Sequence, residues 1–259
     1  MQPTISVFLK RPVPGRVKTR LAAAVGPDRA AAIYRLLVQE TLGQIPPGPV
    51  GHPAADDAGA ETHSRPQLPA APAPHGAHAP VAALPTPAPR AARLVICHDP
   101  PDADSAAAIR DWLQALPGAA GANARRADFQ PQASGDLGAR LDAAVRQALA
   151  DGSPAVAVVG TDCPWLRPHH FESAWRALES GADVVYGPAR DGGYWLVAMR
   201  RPWPQAFAGI PWSAADTLRR SLDQLTAAGA RLHLLETLSD IDDLGDWHRW
   251  TAAGSSMGE

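Results

Sequence analysis

The sequence predicts an α/β fold: a mostly parallel central sheet covered by helices on both faces. Three observations carry that expectation. Short apolar runs alternate with helical patterns over nearly the whole chain. One run, residues 155–160 (Ala-Val-Ala-Val-Val-Gly), is small and β-branched throughout, as a strand buried on both faces requires. Hydrophobic residues make up 46% of the 259 positions and charged ones 19%, enough to bury a substantial core.

The elements follow in order. Residues 4–10 read as the first strand, and a helical pattern runs over 19–42, restarted at Pro27-Asp28, where a proline at a first helical turn and an acidic cap are favoured. Further strands are expected at 93–98, 124–129, 155–160, 184–187, 194–199 and 231–235. Helices are expected at 104–116, 137–150, 169–180, 213–228 and 243–250. In doubly wound sheets ligands sit outside the carboxyl ends of the strands, so residues just after each strand are the ones that matter for function.

Residues 46–92 stand apart. They hold 12 of the 27 prolines, many alanines and no Phe, Tyr or Trp, with neither helical nor strand periodicity. Proline removes a backbone donor every few residues, so the segment reads as a disordered surface insertion in a single domain spanning 1–259. Its histidines, His52, His63, His75 and His78, are irregularly spaced; a metal-binding tract is the alternative to an unstructured insert.

A formal net charge of -2 argues against a general nucleic-acid binder. No apolar run reaches the roughly 18 residues that a bilayer span needs. The amino terminus lacks the charge-then-apolar order of a signal peptide, which leaves the cytoplasm as the expected compartment. Cys97 and Cys163 close apolar runs and read as small core residues, not as a disulfide.

The densest chemistry lies in residues 10–20, Lys-Arg-Pro-Val-Pro-Gly-Arg-Val-Lys-Thr-Arg, with five cations and no acid. A strand, a Pro/Gly turn and a helix start so charged suit phosphate binding, through helix N–H groups and through Arg16, Lys18 and Arg20. A solvated basic turn is the plain alternative. The loop is not a Walker A motif, since Val17 stands where glycine must precede the lysine, and no G-x-G-x-x-G fingerprint is present.

Acids follow other strands. Asp162, after the central strand and just before Pro164, suits a divalent cation such as Mg²⁺, which takes one or two carboxylates with substrate phosphates and water; capping the next helix is the alternative. In Asp240-Ile241-Asp242-Asp243, Asp242 reads as a second metal ligand, and Asp243 or a neighbour as the cap of the last helix. Asp191-Gly192-Gly193-Tyr194 is either a hairpin turn or a substrate loop in which glycines let backbone approach a ligand. Asp136 reads as a helix cap, with Arg140 one turn in and able to reach a base, ribose or phosphate. Trp165, Trp195 and Trp212 suit either an acceptor pocket or the core.

Six motifs in order carry a family resemblance. They are Phe8-Leu9-Lys10-x-Pro12-x-Pro14-Gly15-x-Val17-Lys18-Thr19-Arg20-Leu21, Gly135-Asp136-Leu137-Gly138-x-Arg140, Gly160-Thr161-Asp162-Cys163-Pro164-x-Leu166, Gly187-Pro188-Ala189-x-Asp191-Gly192-Gly193-Tyr194, Ile210-Pro211-Trp212-Ser213 and Asp240-Ile241-Asp242. Together they resemble a bacterial group of GT-A-like glycosyltransferases related to arsenosugar biosynthesis, within the nucleotide-diphospho-sugar transferase superfamily. The resemblance covers nearly all the chain except the Pro/Ala insert. It implies a GT-A domain that binds a nucleotide with a divalent cation, Mg²⁺ or Mn²⁺. It puts Pro14, Gly15, Arg16, Lys18, Arg20, Asp136 and Arg140 at the nucleotide and its phosphates, and Asp162 with Asp242 at the metal. Asp191 and Lys18 become the catalytic candidates, with Gly192, Gly193, Tyr194 and Trp212 at the sugar or acceptor. The Asp-x-Asp pair common in such enzymes is missing, because Pro164 occupies the second position.

The expected activity is transfer of a glycosyl group from a nucleotide sugar to a small-molecule acceptor. Nucleotidyl transfer from a nucleoside triphosphate to a phosphorylated acceptor is the alternative, because the Lys18-Thr19-Arg20-Leu21 run resembles enzymes that guanylylate phospholactate. A third reading, of another class, is a catalytically silent nucleotide-binding module.

Overall fold

The computed structural model describes residues 1–46, 48 and 90–255. The expected Pro/Ala-rich insertion at 46–92, with its four histidines, lies outside the described residues apart from its ends.

Seven strands form one sheet in the order β3-β2-β1-β4-β6-β5-β7. They are β1 (Thr4–Lys10), β2 (Arg93–Asp99), β3 (Asp128–Pro131), β4 (Val156–Val159), β5 (Val184–Pro188), β6 (Tyr194–Met199) and β7 (Leu232–Leu234). Every pairing is parallel except those of β6, which runs antiparallel to both β4 and β5. The reason is local: only the short Ala189–Gly193 connection separates β5 from β6, and a hairpin joins antiparallel neighbours.

Eight helices lie among the described residues: α1 (Thr19–Val25), α2 (Pro27–Gly43), α3 (Ala103–Gln114), α4 (Gly118–Arg126), α5 (Leu137–Ala150), α6 (Pro168–Glu179), α7 (Thr217–Ala227) and α8 (Leu244–Ser255). One face of the sheet packs Ile5, Val7, Leu9 and Ile96 against Tyr34, Val38 and Leu42 of α2, Ile109 of α3, and Phe171 and Trp175 of α6. The other packs Val156, Val158 and Val197 against Leu141 and Val145 of α5 and Leu225 of α7. Sheet coverage on both faces is therefore as the sequence predicts.

Three boundaries depart from expectation. The long amino-terminal helix breaks at Gly26, whose φ of 82° is open to glycine, and restarts with Pro27 at the first helical turn. The strand expected at 124–129 starts instead at Asp128, because the alanine-rich segment after Pro117 winds into α4. The helix expected from residue 213 begins at Thr217, since Ser213 sits at φ 63° in a turn.

That turn is pressed against the β5–β6 hairpin. Gly192 has φ 90°, and a Cβ there would lie 1.9 Å from the Ala215 carbonyl oxygen. Its own carbonyl accepts the Leu218 N–H at 2.9 Å. Gly192→Ala is therefore expected to cost about 3 kcal/mol, lowering the melting temperature by roughly 6–12 °C for a chain of this size. An unchanged thermal melt would contradict the close approach.

Candidate functional site

The site grows from the carboxyl ends of β1, β4 and β5. After β1 the chain turns through Val13-Pro14-Gly15-Arg16, closed by the Arg16 N–H donating to the Val13 carbonyl at 3.0 Å. Proline second and glycine third at φ 77° make this a type II turn, which leaves Pro14, Gly15 and Arg16 exposed. Buried Val17 anchors the turn, and Lys18 then caps α1 in the left-handed region at φ 47°, ψ 49°. A non-glycine residue held there stores on the order of 1 kcal/mol of strain, so its surroundings must hold it.

They do so through its side chain, which is only 5% exposed. Lys18 Nζ lies 2.7 Å from Asp162 Oδ1, donates to the Ile241 carbonyl at 2.5 Å, and lies 3.5 Å from Asp242 Oδ1. A desolvated ammonium needs such partners. Arg20, exposed on α1, reaches Asp242 Oδ2 at 3.5 Å.

Asp162 follows β4, and Ile241 brings the carboxyl-terminal loop to it. The Ile241 side chain is buried with Leu21, Ile33 and Leu37, while its N–H donates to the Asp162 carbonyl at 2.9 Å. The loop reaches this point by running alongside β5: the Leu235 N–H donates to Tyr186 at 2.8 Å and the Leu238 N–H to Pro188 at 3.0 Å. Asp243 then caps α8, accepting the Asp246 N–H at 2.9 Å, while Asp246 accepts the N–H groups of Asp242 and Asp243, each at 3.0 Å.

The residue that sequence reasoning passed over is Asp240. Its Oδ1 is buried with no hydrogen-bond partner among the described residues. Burial, then the charges of Asp162 and Asp191, push its carboxyl up to about 7, with Lys18 pulling the other way and Asp242 adding a smaller push. Nothing in the run Asp240-Ile241-Asp242-Asp243 distinguishes the buried acid from its neighbours; only the hydrogen bonds of Ile241 and Leu238 do so.

Tyr34 of α2 was also missed. Its buried hydroxyl accepts the Lys10 N–H at 2.8 Å and the Thr161 hydroxyl at 3.3 Å, joining the end of β1 to the residue before Asp162. Burial, reinforced by the Asp162 charge, holds the phenol well above its ordinary pKa, so it stays neutral.

Asp136 caps α5 by accepting the Ala139 N–H at 2.8 Å. Arg140 Nε donates to the Gly135 carbonyl at 3.0 Å, and Nη1 lies 3.4 Å from Gln132 Oε1 and 3.6 Å from Asp99 Oδ2. It thus lies at the ends of β2 and β3, with Asp99 paired in register to Lys10.

The Asp191 segment is a hairpin turn: Asp191 Oδ1 accepts the Gly193 N–H at 2.8 Å. Asp191 is exposed, and its charge is among those felt by Asp240. Tyr194 and Trp212 are both half-buried. The Tyr194 hydroxyl is buried, and its ring meets that of Tyr186 edge-on with centroids 4.9 Å apart. The Trp212 indole N–H is buried too, its ring packed against Gly138, where a Cβ would come within 2.9 Å. Trp195 is a core residue, its indole N–H donating to the Glu236 carbonyl at 3.3 Å. Cys97 and Cys163 are free and buried, as expected.

Outside the site, His169, His170 and Glu236 hold ligand atoms within 4.8 Å of one another. His170 Nδ1 accepts the Arg167 N–H at 2.9 Å, so its proton lies on Nε2, which donates to Glu236 Oε1 at 2.6 Å. A metal on Nε2 would require the proton on Nδ1, against that N–H. The cluster is a latch between α6 and the β7–α8 loop.

A family profile described as "uncharacterized protein conserved in bacteria" (DUF2064) matches residues 85–214. The chain belongs to this family. A crystal structure from Desulfovibrio desulfuricans G20, of a protein provisionally named a nucleotide-diphospho-sugar transferase, is 28% identical with a TM-score of 0.72, covering 96% of this chain and 87% of that one. The 4-diphosphocytidyl-2C-methyl-D-erythritol synthase of Anaerococcus prevotii DSM 20548 shares the fold alone, at 10% identity and a TM-score of 0.50, over 98% and 96% of the two chains. No curated protein matches the sequence. The fold of this DUF2064 chain is therefore of the GT-A-like, nucleotide-diphospho-sugar transferase type. Among its described residues no helix is long and apolar enough to cross a membrane.

The position of Asp240 sets a pH dependence. Its folded-state pKa of about 7 exceeds the unfolded value of 3.8, so the folded chain binds more protons between these limits. Its contribution to stability is fully present below the unfolded value and lost as pH rises to about 7. In chelator, Asp240→Asn is expected to raise the melting temperature more at pH ~8 than at pH ~5. Equal shifts at both pH values would contradict the buried, uncompensated carboxylate.

Proposed function

We propose that the chain is a transferase that binds a nucleotide at its amino-terminal basic turn and moves a glycosyl group from a nucleotide-diphospho-sugar to a small-molecule acceptor. The observation that carries this reading is the meeting of the basic turn with Asp162 and the 240–242 loop, held together by Lys18 at the strand ends where α/β sheets bind ligands. The arsenosugar association rests on the motif resemblance alone.

A divalent cation fits the residues present. The donors are all carboxylate and carbonyl oxygens, a set suited to Mg²⁺ or Mn²⁺, and an ammonium already stands among them as a cation. The orphaned Asp240 oxygen is a further unfilled acceptor. Asp162 and Asp242, with Asp240, would hold it. When bound, the ion would offset charge building on the departing diphosphate. Arg16 and Arg20, exposed beside the helix start, would bind phosphate oxygens, joined by the exposed backbone of Pro14 and Gly15. Arg140 and Asp136 would meet the nucleoside from the ends of β2 and β3. Asp191 is exposed, its charge acts on Asp240, and it would take the acceptor hydroxyl's proton, with Gly192 and Gly193 giving the acceptor close access to backbone. A single domain around this site agrees with the contiguous sheet.

One observation favours nucleotidyl transfer as a second reading. Lys10, Arg11, Arg16 and Arg20 are all exposed around one turn, which is ample positive charge for a triphosphate. The products separate the two. With Mn²⁺ and a panel of nucleotide sugars, the first reading expects release of a nucleoside diphosphate; with nucleoside triphosphates and a phosphorylated acceptor, the second expects pyrophosphate. In either case Asp162→Asn is expected to lower turnover by about a hundredfold or more while the chain stays folded. Absence of both products, with no nucleotide raising the melting temperature, would sink the transferase reading.

A further inference from the structure

Lys18 was expected at the nucleotide phosphates, yet its ammonium is turned inward to Asp162, the Ile241 carbonyl and Asp242. Two of these three are the groups proposed above as metal ligands, so the inference rests on that reading. We infer that Lys18 is a resident counter-cation for the metal seat, displaced by the incoming divalent ion, so that cation binding precedes and enables nucleotide binding.

The physical argument has three parts. First, the two cations compete for one carboxylate: an ion ligated by Asp162 would stand close to an ammonium 2.7 Å from Oδ1 of the same group, and like charges repel. Second, Lys18 with the exposed Arg20 under-compensates the cluster. The charges of Asp162, Asp191 and Asp242 all act on Asp240, and a buried Asp240 oxygen goes without a hydrogen-bond partner among the described residues. A divalent ion matches that charge better, which supplies the drive for exchange. Third, Lys18 can give way without unfolding, because the left-handed backbone that its side-chain contacts help to hold stores only a modest strain. Its ammonium rides on a flexible four-carbon stem, unlike the rigid fork of arginine, and its backbone already caps α1 beside the exposed turn of Pro14, Gly15 and Arg16. Released from the carboxylates, the ammonium becomes the phosphate ligand that the turn otherwise lacks from its buried side. The linkage is reciprocal: the factor by which the cation tightens nucleotide binding equals that by which nucleotide tightens the cation.

The sequence supplies its own reporter, because Lys10 and Lys18 are the only lysines in the chain. Lys10 is exposed and serves as the reference. The intact chain is acetylated with a limiting amine-reactive ester, in chelator or with saturating Mg²⁺ and no nucleotide, and the two sites are quantified by peptide mass spectrometry. Calorimetry with Mn²⁺ and with Mg²⁺ alone establishes binding first. The expected result is a Lys18-to-Lys10 labelling ratio that is low in chelator and rises at least about fivefold with Mg²⁺. Lys18→Met is expected to bind Mn²⁺ alone more tightly than the parent, since its competitor is gone. A chain that binds Mg²⁺ while Lys18 stays protected, or a Lys18→Met chain that binds Mn²⁺ more weakly, overturns the exchange and leaves the transferase reading intact. A chain that binds neither ion overturns both the exchange and the cation-assisted reading.

Discussion

The site depends on one residue that carries no charge. Ile241 places its side chain in the small core between α1 and α2, donates its N–H to the Asp162 carbonyl, and accepts the Lys18 ammonium on its own carbonyl. These three attachments bring residues nearly the full length of the chain apart to one point. They also fix which face of the 240–242 loop turns inward, leaving one Asp240 oxygen buried while the Asp242 side chain stays 38% exposed. Without them the carboxylates would separate and hydrate, which is the cheaper arrangement for like charges.

The arrangement is held against electrostatic and conformational cost. Lys18 sits in left-handed backbone, and one oxygen of the half-buried Asp240 is buried and unpaired among other acids. Groups that destabilise the free chain in this way are characteristic of sites preorganised for a charged ligand, whose binding relieves the cost. The surroundings supply the rigidity that such a site needs. Tyr34 ties β1 to Thr161, the Asp243–Asp246 cap fixes the start of α8, and the His170–Glu236 latch with Trp195 steadies the approach to residue 240.

Much of this was legible in the chain, and the parts that were not have physical reasons. The basic turn and Asp162 stand out because strand, turn and charge are contiguous, and local propensity dictates their geometry. The central strand at 155–160 and the hairpin strand at 194–199 are equally plain from their apolar runs. Asp240 could not be singled out, because three near-adjacent acids differ only in tertiary hydrogen bonding. Tyr34 lies in a helix among core residues, where nothing local marks one hydroxyl as a tie. Tyr194 and Trp212 pack their rings in the space around α5 and α7, contacts that no local pattern in the sequence announces. Lys18 stands out in the sequence as one charge of the basic turn, but its partners, the carboxylates of Asp162 and Asp242 and the Ile241 carbonyl, come from elements far along the chain.

If the basic turn and the 162/240–242 acids form one cation-dependent site, the ion must sit between them. Anomalous scattering from crystals soaked in Mn²⁺ locates it. A manganese peak is expected among Asp162, Asp240 and Asp242, with the Lys18 ammonium moved from Asp162. A peak elsewhere on the molecule, or none there at a concentration at which Mn²⁺ binds in solution, would contradict a shared site.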